Sequence, residues 1–87
     1  MTKKDPFVEI GKQLTADDLK VQQIVVIEAP ERNGVCMTMW VREVRANLVV
    51  FYSGELDWYV INFVSNDGTI IDDQGREVKV YEYLGEP

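Results

Sequence analysis

From residue 22 onward the hydrophobic positions fall in short runs, some alternating with polar residues and some apolar throughout, and most runs close in a turn that contains glycine. The turns are Asn33-Gly34, Ser53-Gly54, Asp67-Gly68 and Gln74-Gly75, and the runs between them are mostly Val, Ile, Phe, Tyr, Trp and Thr. Runs of that composition, bounded by residues that tolerate positive φ, predict antiparallel strands joined by hairpins. The expected strands cover 22–29, 35–45, 48–52, 56–64, 69–71 and 76–84. Pro30 ends the first, and Ala46-Asn47 makes a tight turn after the second with Asn47 at positive φ. Upstream, Thr15 followed three residues later by Asp18 has the spacing of a capping box and predicts one helical turn. Phe7, Val8 and Ile10 are the apolar positions of a stretch with mixed charge and no period. Residues 1–14 are therefore expected as a flexible N-terminal arm and 15–87 as a single small domain.

Alternation also assigns faces, because successive side chains of a strand point to opposite sides of its sheet. On the second strand Val35, Met37, Met39 and Val41 share one side, and Cys36, Thr38, Trp40 and Arg42 the other. On the last, Val78, Val80 and Leu84 oppose Lys79, Tyr81 and Tyr83. The third and fourth strands are apolar on both sides: Leu48, Val50 and Tyr52 against Val49 and Phe51, then Trp58 and Val60 against Tyr59, Ile61 and Phe63. Strands of that kind need cover on both faces, from barrel closure, a partner or the arm.

Hairpin-linked short strands in so few residues define an all-β class, and the economical arrangement is a single small SH3-like barrel or barrel-like antiparallel meander of five to six strands. The segment from Asp17 to Ile27 resembles the lead-in to the first strand of many such barrels, where a polar turn precedes a Lys-Val-x-x-x-Val strand. Lys20, Val21 and Val25 fill that pattern here. Where many members place Gly-Asp in the turn, this chain has Gln22-Gln23. An OB-like barrel is the rival fold, but it usually carries a helix between strands and none is legible here.

Composition narrows the chemistry. The 87 residues include no histidine, which removes the commonest general base and metal ligand. Cys36 is the one cysteine, so no intramolecular disulfide forms, and mid-strand without a base beside it the residue reads as an inert, buried thiol. Ser53 and Ser65 sit in turns and are turn residues by type. Asp67, Asp72, Asp73, Glu55 and Asp57 lie near turns but lack the ordered spacing of a calcium loop, so no metal and no cofactor is expected. No catalytic residue is assigned, and the chain is expected not to be an enzyme. No run of 18 apolar residues occurs and Met1 to Pro6 has no apolar stretch behind its lysines, so neither a membrane partner nor a secretory signal is expected; a cytoplasmic location follows.

The formal charge of −6 weighs against a phosphate backbone as partner, since nucleic-acid affinity rests on Lys and Arg. Binding to another protein is favoured instead, through an aromatic and acidic set of Tyr52, Glu55, Asp57, Trp58, Tyr59, Tyr81 and Tyr83, a composition that suits a basic or Pro-rich peptide. The two-sided apolar strands give a physical motive for self-association into a homo-oligomer. A non-enzymatic interaction module or small accessory protein, of a bacterium or bacteriophage, is the expectation. The alternative is a nucleic-acid-associated barrel that uses Trp40, Arg42, Arg45 and Lys79 as a stacking and charge platform.

Overall fold

A computed structural model of the chain describes residues 10–30 and 33–85. It is an all-β antiparallel sheet of seven strands: β1 (Ile10–Leu14), β2 (Ile24–Ala29), β3 (Val35–Val44), β4 (Leu48–Ser53), β5 (Trp58–Val64), β6 (Ile70–Ile71) and β7 (Lys79–Tyr83), in the order β1-β7-β2-β3-β4-β5-β6. Strands β2 to β5 form a meander, and β7 returns to lie between β2 and β1. The ladder does not close into a barrel. Its far ends approach where Ile71 bridges Glu77 and the Val78 amide donates to the Ile70 carbonyl at 2.8 Å, just before β7 begins.

Two expectations are corrected. The strand count is seven rather than five to six, and the added strand, β1, lies in the stretch expected as arm. Ile10-Gly11-Lys12-Gln13-Leu14 has no alternation to announce it; its neighbour β7 supplies the ladder, with Gln13 opposite Tyr81 and Leu14 opposite Val80. Residues 1–9 of that arm lie outside the described residues. The second correction is Asn47, which is not among the residues with positive φ. The Ala46-Asn47 turn is closed by the Arg45 amide on the Leu48 carbonyl at 2.8 Å. A bulge between Val41 and Glu43, with Arg42 as the extra residue, supplies the strand twist that a left-handed turn residue would otherwise give.

The helical turn over Ala16–Asp18 forms, a single turn of 3₁₀ helix, with the Asp18 carboxylate accepting from the Thr15 amide at 3.0 Å. Positive φ falls on Asn33 and Gly34 in the β2–β3 hairpin and on Gly68 and Gly75 in the later turns, where the dipeptide pattern places it. It also falls on two residues without a glycine's freedom, Gln22 (75°) and Asp57 (50°).

One face of the sheet makes the core cluster, while Val26, on the other side of β2, is also fully buried, opposite Thr38 and Tyr81. Val25 and Ile27 of β2, Met39 and Val41 of β3, Val49 and Phe51 of β4 and Val80 of β7 are fully or almost fully buried and pack with Leu14, Leu19 and Ile70. Trp58 and Val60 lean against this side from β5. Val35 and Leu84, assigned by alternation to inner faces, are exposed, and so is Cys36, expected as a buried thiol.

Candidate functional site

Opposite the core, the outer face of β3 to β6 is apolar and uncovered. Register builds it in rows. Ile24 stands opposite Trp40, Trp40 opposite Tyr52, and Tyr52 opposite Tyr59. One step along, Val50 stands opposite Ile61; the next row is Leu48, Phe63 and Ile71. Trp40 is 48%, Tyr59 52%, Ile61 56% and Phe63 40% exposed, although large apolar side chains in such rows normally lie against a second layer. This is the second apolar side that alternation assigned to β4 and β5. Nothing among the described residues covers it.

Around Tyr52 the face has its most ordered geometry. The rings of Tyr52 and Tyr59 lie 4.8 Å apart, centroid to centroid, tilted by 40°. The Tyr52 hydroxyl donates to Asp57 Oδ1 at 3.4 Å. Burial and the Asp57 carboxylate raise the phenol above its ordinary pKa. On the other side of Tyr52 a groove of about 360 Å³ runs between Val21, Gln22, Trp40, Arg42 and Gly54. Gln22 lines this groove and Asp57 caps Tyr52, so two of the three non-glycine residues with positive φ among the described residues flank the same aromatic row. Backbone conformations of that kind gather at functional surfaces.

The aromatic and acidic set expected from sequence is only partly brought together. Tyr52, Asp57 and Tyr59 adjoin one another, with Glu55 exposed in the loop between β4 and β5. Trp58 points to the core side, beside Met37, Met39 and Val60. Tyr81 and Tyr83 lie on β7, which β2 separates from β3; the Tyr81 hydroxyl donates to Glu28 at 3.4 Å, and burial followed by that carboxylate raises its pKa. Of the nucleic-acid set, Trp40 and Arg42 share the groove. Arg45 is ion-paired to Glu43, and Lys79 stands opposite Glu28 on β7. Val50, Ile61 and Phe63 complete the face and were absent from both sets; their signal was the apolar character of both sides of β4 and β5.

The turn carboxylates serve their own turns. Asp67 accepts from the Ser65 hydroxyl at 2.5 Å and the Thr69 amide at 3.1 Å, which hold its pKa down at about 2. Burial works to raise the pKa of Asp72, but the Arg76 and Gln74 amides and the Arg76 guanidinium outweigh it and lower the value. No group of three or more Cys, Asp or Glu side chains among the described residues is arranged to hold a metal ion. Among the described residues no helix is long and apolar enough to cross a membrane.

The free edge of β5 borders this face. Strand β6 pairs only with Phe63 and Val64, which leaves Trp58 to Asn62 without a strand on that side among the described residues. A cleft of about 430 Å³ follows this edge, closed at one end by Asp72, Asp73 and Arg76. Asn62, 4% exposed, points inward there with Oδ1 buried and unpartnered.

No protein-family model matches the chain, and neither a curated protein nor a solved structure matches it.

Proposed function

We propose that the protein is a non-enzymatic interaction module that binds another protein through the outer face of β3 to β5, with Trp40, Tyr52, Tyr59 and Ile61 as its contact residues and Glu55 and Asp57 on its border. One observation carries the reading: these large apolar side chains form contiguous rows in which Trp40, Tyr59 and Ile61 are about half exposed, with no second layer over them among the described residues. Aromatic side chains offer a partner wide contact at little entropy cost, and a polar border limits solvent access. The architecture behind the face reads as an SH3-like barrel left open, a reading supported by the β2–β5 meander and the return of β7 beside β2. A cytoplasmic accessory role accords with a chain that has no histidine and a single mid-strand thiol.

Capture from nuclease-treated lysate tests this. Wild type is expected to retain a protein at stoichiometric yield that a Trp40→Ala, Tyr59→Ala variant loses. Recovery of partners only when nuclease is omitted, with oligonucleotide binding that falls steeply as salt rises, overturns the proposal in favour of nucleic acid held by Trp40 and Arg42.

A further inference from the structure

We propose that the occupant of the outer face is a second copy of this chain, packed face to face as a two-fold dimer. This inference rests on the reading of the face as a protein-binding surface and names its partner.

Area is the first argument. With about 150–250 Å² per aromatic side chain, the exposed parts of Trp40, Tyr59 and Phe63 come to roughly 300 Å². Ile61 and the half-buried neighbours in the same rows bring the apolar area to roughly 500 Å². A standard interface takes about 800 Å² from each partner, somewhat more than half of it apolar. One face of this molecule therefore supplies what one half of a stable dimer needs.

Shape is the second. A two-fold axis lying across the strands through the Val50–Ile61 row reverses strand direction between the copies. The Tyr52–Tyr59 pair of one molecule then lies over the Leu48–Phe63 pair of the other, and the central row meets itself. Wide aromatic pairs against a narrower aliphatic–aromatic pair interdigitate at the spacing of about 10 Å that stacked sheets adopt. The border carries Arg42 and the Arg45–Glu43 ion pair along β3 and Glu55 and Asp57 beyond β4, an excess of one acid at a solvent-facing rim where screening keeps the repulsion between two copies small. Closed two-fold dimers are the commonest soluble oligomers, and a small domain with one modest core gains from the added burial.

Sedimentation equilibrium on the full chain tests the dimer. Wild type is expected at twice the 10.0 kDa chain mass at micromolar concentration. Ile61→Asp at the centre of the face should raise the dissociation constant at least about 30-fold, the effect of removing an interface hot spot. Val35→Asp, on an equally exposed side chain off the face, should leave it unchanged. Circular dichroism on each variant separates lost association from lost folding, and Ile61→Ser provides a milder change if the aspartate does not fold. A dimer that survives Ile61→Asp, or that Val35→Asp splits equally, overturns the proposal. So does a wild type that stays monomeric at millimolar concentration. In that last case an apolar dye that binds wild type but not Ile61→Asp leaves the protein-binding reading standing with a different partner. A monomer that binds no dye removes both.

Discussion

Asn62 shows most directly how a single residue departs from the pattern around it. Alternation puts it on the core side of β5 between Val60 and Val64, opposite the fully buried Val49, where an apolar side chain is expected. Its amide oxygen is buried without a partner. Leaving such a group unsatisfied costs about 1–3 kcal/mol. Asn62→Leu should therefore raise stability by about 1 kcal/mol in urea denaturation, and a loss of stability would show that the amide is satisfied. Asp67 is the opposite case, a carboxylate whose every contact favours its charged form. Its folded pKa of about 2 lies below the unfolded value of 3.8. The stabilisation is therefore complete above about pH 4 and is lost as pH falls toward 2. Thermal melts should show wild type more stable than Asp67→Asn at neutral pH, with the gap closing between pH 4 and 2. A gap that stays constant across that range would rule the linkage out.

At the scale of elements, β3, β4 and β5 were legible because they are runs of β-branched and aromatic residues bracketed by turn residues. β1 was not, since its strand character comes from the open edge of β7 rather than from its own residues. The last strand was expected from residue 76, but Arg76 to Val78 close the β6 turn first and pairing with β2 starts at Lys79. Alternation separated Trp58 from Tyr59 correctly, since adjacent residues of a strand cannot share a face. The expected binding set nevertheless joined them, because it was assembled by residue type rather than by phase. What alternation does not encode is which face of a two-sided strand will have a second layer. That depends on how the sheet curves, and so Trp40, readable as core or platform, lies on the uncovered side.

For the whole molecule, the inner face of the sheet holds most of the core, while the outer face of β3 to β5 keeps large apolar side chains about half exposed. A formal charge of −6 favours solubility, and the proposed reading assigns the apolar face to a partner. On that reading the outer side chains of β3 and β5 contribute little to folding in the dilute monomer. The most direct test is urea denaturation of Trp40→Ser, Tyr59→Ser, Ile61→Ser at a dilution where wild type is monomeric. The expected result is a stability within about 1 kcal/mol of wild type, as for exposed positions. A loss of about 3 kcal/mol or more, the scale of buried-residue truncation, would place these side chains in the core and contradict the account.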